Sequence, residues 1–454
     1  MTLFGTAGIR GPVDDVTPEL ALSVGRAAGS PGETFVVGRD GRETGPALAA
    51  AVVAGLESAG ADVRRLGVVP TPTLAYASRG RRGVMVTASH NPPADNGLKL
   101  FVDGVEYDRE AEERIESALG AEPVGWAEWG SDERLDVLEE YRRAVADYVR
   151  GRFEDDRPLA DLSVVVDCGT GVGALATPQL LDRLGADVLA MNASVDGHFP
   201  ARESKPTPET LTDLAAVLAD GDFDLGLAHD GDADRIVALD HTGEVIHEDT
   251  VLAVVAARYV REATVDDPVV VTTPNASARI DELVADAGGR VERVRLGALH
   301  EGIARVEADG TGVTSVVFAA EPWKHVHTAF GGWIDGVVSA AVVAALVADA
   351  GGADELREPV NERPYRKLSV DCPDGAKAAA MTTLETTLLD AFPDAAVDTA
   401  YGVRLTFEDA SWLLARPSGT EPYLRLYAES DDVDALVAEA RSVLEDAVDD
   451  AEDA

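Results

Sequence analysis

One local pattern occurs three times in this chain. The run Leu56, Glu57, Ser58, Ala59, Gly60, Ala61, Asp62, Val63 returns as Leu181, Asp182, Arg183, Leu184, Gly185, Ala186, Asp187, Val188. It returns again as Val284, Ala285, Asp286, Ala287, Gly288, Gly289, Arg290, Val291. Each copy reads as the last turn of an amphipathic helix, a glycine just past its end, and the start of a β-branched strand. Any helix-to-strand junction needs such a glycine. Three copies at domain-sized intervals nevertheless predict three α/β units in tandem, with mixed, mostly parallel sheets covered by helices.

The last ~90 residues lack the pattern. Strands around Leu413 and Leu424–Tyr427 and an acidic helix from Asp432 predict a smaller C-terminal α+β domain. A charged, helical stretch over 128–157 leads through Arg157-Pro158 to a strand at Leu162–Asp167. The turn Asp266-Asp267-Pro268 opens a third unit, and Glu358-Pro359 and Arg363-Pro364 mark a linker to the fourth. The expected domains are 1–150, 151–260, 261–362 and 363–454. A length of 454 residues is ample for that many cores.

Charge narrows the partners. There are 82 acidic and 39 basic residues, net −43, with the acids spread along the whole chain. No basic stripe exists to release counterions from a nucleic acid. Adaptation to concentrated salt is the expected cause, since the Debye length falls to ~3 Å at 1 M. No uncharged apolar stretch reaches the ~18 residues of a membrane span, and no signal peptide is expected. Cys168 and Cys372 alone make no disulfide framework, which points to a reducing cytoplasm. Only Lys99, Lys205, Lys324, Lys367 and Lys377 survive as lysines. Lys99 and Lys324 fall inside motifs.

Three motifs carry chemistry. In the first, the apolar run Val84–Val86 stops at Thr87-Ala88-Ser89-His90-Asn91-Pro92-Pro93. A strand there delivers Ser89 to a loop, where a serine followed by His90 and Lys99 could be a phosphorylated nucleophile. In the second, Asp230, Asp232 and Asp234 precede Arg235 at the end of a strand. Hard carboxylate oxygens at alternate positions suit Mg²⁺ or Ca²⁺. An EF-hand fails on spacing, because its sixth and twelfth positions would be Arg235 and His241. An aspartyl-phosphate loop with Asp230 as nucleophile stays open. The third motif is Arg416-Pro417-Ser418-Gly419-Thr420-Glu421-Pro422 with Arg425. It offers hydroxyls, open backbone and guanidinium groups to a phosphate, or forms a plain turn. The glycine-rich Asp167–Gly173 segment lacks dinucleotide spacing and reads as a tight strand-to-helix turn. His229 reads as packed, and His325 and His327 beside Glu321 and Lys324 as a ligand cluster.

Together these residues resemble the α-D-phosphohexomutase family of phosphomannomutases, phosphoglucomutases and phosphoglucosamine mutases. Phe4–Gly11 with Arg10, the Ser89 loop with Asp95–Lys99, Asn192 with Asp196–Pro200, the Asp230/Asp232/Asp234 loop and Arg416–Pro422 follow that family's order. The resemblance implies four domains around a central cleft. It implies a phosphoryl group on Ser89, Mg²⁺ on Ser89, Asp230, Asp232 and Asp234, and Arg10, His90, Lys99 and Arg235 around that phosphate. Arg416, Ser418, Gly419 and Thr420, with Arg425, would hold the sugar's other phosphate; Glu321, Lys324 and His325 would face the sugar. The family's Gly-Glu-x-Ser-Gly-His loop is here Ala320-Glu321-Pro322-Trp323-Lys324-His325, so an indole is expected to fill the place of the serine hydroxyl.

The implied reaction interconverts hexose 1-phosphate and hexose 6-phosphate, mannose or glucose first, through a 1,6-bisphosphate that also serves as activator. Lys99 or His90 would accept the hydroxyl proton. The C-terminal domain on its proline-bearing linker would act as a mobile lid. Phosphoglucosamine mutase, an Asp230 phosphatase and a non-catalytic sugar-phosphate binding protein are the alternatives. Hexose phosphates are the expected partners, with monomer or homodimer both compatible.

Overall fold

The computed structural model describes residues 3–5, 8–419 and 421–452. Its strands form four sheets, one per predicted unit. The first runs in the order Ile9–Pro12, Asp95–Val102, Arg82–Val86, Thr34–Arg39, Asp62–Val68, Asp132–Arg134, with Val105–Glu106 beside Asp95–Val102. Its interior strands Arg82–Val86, Thr34–Arg39 and Asp62–Val68 are parallel, whereas Asp95–Val102 is antiparallel to both its sheet neighbours. The second sheet places Ser163–Asp167 between parallel Asp187–Met191 and Leu225–His229, and Ile236–Asp240 closes it antiparallel. The third repeats this with Arg290–Arg293, Asp267–Thr272, Thr314–Glu321 and antiparallel Lys324–Val326. The fourth is antiparallel throughout, from Tyr365–Asp371 to Ala396–Asp398, under the helices Lys377–Ala391 and Val433–Glu452. The expected mostly parallel α/β units with a C-terminal α+β domain are therefore found.

The three repeated glycines do the same work. Gly60, Gly185 and Gly288 have φ of 93°, 111° and 92°, the left-handed region where a side chain is strained. They follow the helices Gly45–Ser58, Thr177–Leu184 and Arg279–Asp286 and turn the chain into the next strand.

Other expectations are corrected. Residues 128–157 are not one helix: Asp132–Arg134 is an edge strand of the first sheet, and the helix begins at Leu138. The boundaries at 150 and 260 fall inside the helices Leu138–Phe153 and Glu248–Glu262. Glu248–Glu262 packs on the third sheet, and Gly336–Ala350 crosses back to the second. The two units thus exchange helices. Gly336–Ala350 has no polar face: all its residues from Gly336 to Val347 are buried. A helix apolar all round must be enclosed on every side. Its start is fixed by Asp335, which accepts from the Val337 and Val338 amides and from Trp333 Nε1 and Tyr141 Oη. Among the described residues no helix is long and apolar enough to cross a membrane, and both cysteines are free and buried.

Candidate active site

Ser89 leaves the strand Arg82–Val86 at the carboxyl end of the first sheet, in the left-handed region with φ 51°. The conformation is held from beneath. Thr87 Oγ1 accepts from the Ser89 amide at 2.8 Å and donates to Asp40 at 2.7 Å. Asp40 in turn pairs with Arg42 at 3.0 Å, both side chains fully buried. The Arg42 guanidinium donates to the carbonyls of Ser89, Asn91, Pro92 and Asp95. A fixed planar fork suits this task, because one side chain satisfies four loop carbonyls. Asp40 and Arg42 had no place among the sequence candidates. The signal was available in Arg39-Asp40-Gly41-Arg42, a charged turn directly after an apolar strand.

The second sheet brings the metal loop to the same point. Gly231 permits the approach: a Cβ there would stand 2.7 Å from the Ser89 carbonyl oxygen. Ser89 Oγ donates to Asp230 at 2.8 Å. Asp230, Asp232 and Asp234 are all buried, with ligand oxygens within 4.8 Å of one another. One oxygen each of Asp232 and Asp234 is buried without a hydrogen-bond partner. Unpartnered buried carboxylate oxygens are costly, and a hard cation would satisfy them. Burial and the neighbouring Asp234 and Asp232 push the Asp230 carboxyl well up.

Cations surround this charge. Lys99 Nζ lies 2.7 Å from Asp234 and 3.5 Å from Asp232. Burial works against its ammonium, but the two aspartates and Glu106 outweigh that and hold its pKa above the ordinary value. Arg10 and Arg235 each carry a buried Nε with no hydrogen-bond partner among the described residues. Arg235 Nε is 3.8 Å from Asp234. His90 Nδ1 sits 3.4 Å from Ser89 Oγ. Burial first, then Arg235, pushes its imidazole down to about 2, so it stays neutral. Glu321 and Lys324 line the same cavity from the third domain, with Glu106 and His300, which sequence reasoning missed. The Gly297 amide donates to Glu321.

Three expectations for the third domain fail. His325 is not in the cavity: it is 1 % exposed, its Nδ1 3.2 Å from Ser339 Oγ, beside the Phe318 ring. His327 is core as well, bonded to Ser339 and Tyr259. Strand alternation sends both rings inward, because residues two apart share a face. The Trp323 indole does not take the place of a sugar-binding hydroxyl either. It packs against the apolar cluster of the second domain around Leu211 and Val237. His229 is packed as expected, between Thr177 Oγ1 and the Arg235 carbonyl.

The fourth domain supplies a separate basic group. Arg416 donates to Tyr427 Oη at 2.8 Å and keeps its Nε unpartnered. Arg425 donates to Tyr423 Oη. Ser418 and Gly419 lie on the loop between the strands Trp412–Pro417 and Tyr423–Glu429, whose carbonyls at Ser418 and Glu421 are held by Lys377. Thr420 lies outside the described residues. Burial and the adjacent Arg425 lower the Lys367 ammonium. Burial raises the Glu248 carboxyl, and the charges of Lys367 and Lys205 work against that rise. Lys99 and Lys324 thus line the cavity beside Ser89, the charges of Lys205 and Lys367 bear on Glu248, and Lys377 stands behind the Ser418 loop.

Family models match three segments: phosphoglucomutase/phosphomannomutase alpha/beta/alpha domain I over residues 1–123, domain II over 139–243, and the C-terminal domain over 369–446. The chain is 41% identical to a phosphopentomutase of Thermococcus kodakarensis, covering 95% of this chain and 94% of that protein. It is 40% identical to a protein of Methanopyrus kandleri named "Probable phosphoglucosamine mutase", covering 94% of each. A phosphoglucomutase/phosphomannomutase family protein of Burkholderia thailandensis superposes with a TM-score of 0.81 at 25% identity, covering 99% of this chain and 98% of its own. With family models over more than half of its length and relatives this similar, the chain belongs to the phosphoglucomutase/phosphomannomutase family.

Proposed function

We propose that this chain is a phosphosugar mutase that carries a phosphoryl group on Ser89 and moves it between C1 and the terminal hydroxyl of an aldose phosphate. The observation that carries this reading is Ser89 Oγ at 2.8 Å from Asp230, within a buried aspartate triad. Asp230 is poorly placed as a nucleophile itself: one oxygen accepts from Ser89 and the other from the Arg235 amide. Mannose or glucose, the first expectation, is named in the family models and in the Burkholderia structure, but the two relatives at 40% identity or more are named for a pentose and an amino hexose. Glucosamine phosphate is the substrate we place first.

Asp230, Asp232 and Asp234 would hold Mg²⁺, which supplies charge neutralisation at the phosphoryl oxygens. A phosphoserine holds about −1.5 to −2 charge beside three carboxylates, so the surrounding cations are required rather than ornamental. Lys99 remains an ammonium locked to Asp234 and Asp232 and so cannot take a proton. His90 Nδ1, 3.4 Å from Ser89 Oγ, can hydrogen-bond that oxygen and orient it, but burial and Arg235 make the ring a poor proton acceptor, so the hydroxyl proton passes directly to Ser89 Oγ as the P–Oγ bond breaks. Arg416 and Arg425 would hold the distal phosphate with the Ser418–Gly419 loop. The bisphosphate turns end for end between the two sites, and its other phosphate returns to Ser89.

The test is labelling of the Mg²⁺-loaded protein with ³²P-glucose 1,6-bisphosphate. Label on Ser89, lost in Ser89→Ala, supports the reading; label retained in that variant moves the nucleophile to Asp230. A coupled assay on the 1-phosphates of glucosamine, glucose, mannose and ribose ranks the sugars.

A further inference from the structure

The loop that should read the sugar presents a lysine to the phosphate. Pro322 and Trp323 form a two-residue turn between the strands Thr314–Glu321 and Lys324–Val326. Trp323 has φ 64°, a conformation costly for a bulky residue and persistent only where its surroundings compensate. Two contacts do so. Its carbonyl accepts from the Ile236 amide at 3.2 Å, and its ring packs on the second domain. Ile236 directly follows Arg235, so the tip of the turn is tied to the end of the metal loop. The indole is directed out of the cavity and the next side chain, Lys324, into it.

There Lys324 shares a wall with Ser89, Arg10, Lys99 and Arg235. Its only ion pair among the described residues is with Glu321, at 3.5 Å. Lys99 differs, because two aspartates already claim its ammonium. Of the two lysines in the cavity, Lys324 is the one able to follow a moving phosphoryl group.

We infer that Lys324 is a catalytic residue: its ammonium stabilises the phosphoryl group in flight between Ser89 and the sugar, and it does not select the sugar. In that step the P–O bond to the sugar hydroxyl oxygen forms as the P–Oγ bond of Ser89 breaks, and the hydroxyl proton ends on Ser89 Oγ. Charge on the equatorial oxygens is greatest in that transition state. The inference rests on the phosphoserine reading of Ser89, and the experiment separates the two.

The Mg²⁺-loaded wild type, Lys324→Met and Lys324→Arg are first labelled from ³²P-glucose 1,6-bisphosphate. An unlabelled wild type removes the phosphoserine reading itself. Each labelled protein is then mixed with glucosamine 1-phosphate, and loss of label is followed over one turnover. Lys324→Met is expected to slow transfer about 10²-fold, the usual effect of removing one transition-state donor, with KM changed less than about threefold. Lys324→Arg, which restores the charge, is expected to recover most of the rate. Labelled Lys324→Met with a normal transfer rate, whether or not KM rises, overturns the assignment. A rate that arginine fails to restore also overturns it. Matching thermal melts of the three proteins show that each is folded.

Discussion

Arg279 of the third domain and Glu429 of the fourth stand 2.8 Å apart with both side chains withdrawn from solvent. Trp412 Nε1 donates to the other Glu429 oxygen at 2.9 Å, and Arg279 also donates to Thr250 and to the Arg363 carbonyl. Arg404 donates to the carbonyls of Pro274 and Ala276 and lies 4.1 Å over the Trp412 ring. A lid swinging freely on its proline linker is not what this arrangement describes. The fourth domain is fastened to the third by a dry polar network, and any closing motion has to pivot on it. The Arg416–Ser418 loop, proposed above to hold the distal phosphate, is carried by that domain, so the network also fixes the loop's position.

Breaking one side of the pair strands a buried charge, which costs about 3–5 kcal/mol. Arg279→Met is therefore expected to lower the melting temperature and to expose the 358–364 stretch to limited proteolysis. KM for the sugar phosphate should rise more than kcat falls. Combining it with Glu429→Gln should recover part of the loss, because the second change removes the stranded carboxylate. A double variant no better than the sum of the singles would show that the two residues are uncoupled.

The aspartate triad makes a prediction about metal. With Lys99 as its nearest cation and two oxygens unpartnered, the metal-free site is under electrostatic tension. Mg²⁺ at 100 times its Kd should stabilise the fold by about 2.7 kcal/mol, read as a rise in melting temperature over the EDTA-treated protein. Asp232→Asn and Asp234→Asn should each shrink that rise. Lys99→Met should melt early in EDTA and gain more from Mg²⁺ than the wild type does, since removing the ammonium leaves the triad more negative. An equal gain in both proteins would detach Lys99 from the metal site.

What could be read in advance followed from local rules. Helix-stopping glycines at 60, 185 and 288 announce helix-to-strand junctions wherever they occur, and three of them delivered three sheets. Ser89 and the aspartates stood out because small polar or acidic residues interrupted apolar strands. What was missed depended on contacts between distant segments. Nothing near residue 336 says that its helix packs on a sheet more than a hundred residues earlier. Arg42 works through four carbonyls 47 to 53 positions away. His325 sits next to Lys324 in sequence, yet the pleat sends one into the core and the other into the cavity. Sequence adjacency suggested a shared role that strand geometry forbids.

His325 and His327 themselves predict acid sensitivity. Burial pushes His325 down to about 4 and His327 well below its ordinary value. The unfolded chain protonates these rings near pH 6.5. Above that pH both states are neutral and the stability is fully present. As pH falls from 6.5 towards 4 the unfolded state gains protons that the fold refuses, and stability is lost at about 1.4 kcal/mol per pH unit for each histidine. Urea midpoints between pH 7.5 and 4.5 should show that slope, and His325→Asn should reduce it. An unchanged slope in that variant would assign the acid loss elsewhere.

A net charge of −43 sets two electrostatic effects against each other. The whole-chain field repels both itself and an anionic substrate, while under the function proposed above Arg10, Arg235 and Lys324 would attract that substrate inside the cavity. Distance decides how salt acts on each. At 0.1 M the Debye length is ~10 Å, so repulsion among surface acids is only partly screened; at 1 M it is ~3 Å and largely gone. Contacts within the cavity are short and partly desolvated and lose less. Raising KCl from 0.1 to 2 M should therefore raise the melting temperature while KM for glucosamine 1-phosphate stays flat or falls. An uncharged osmolyte at matched osmolality should do less for the melting temperature. A melting temperature that ignores KCl would mean that the acids are already neutralised by neighbours in the fold, and that salt adaptation is not what the composition records.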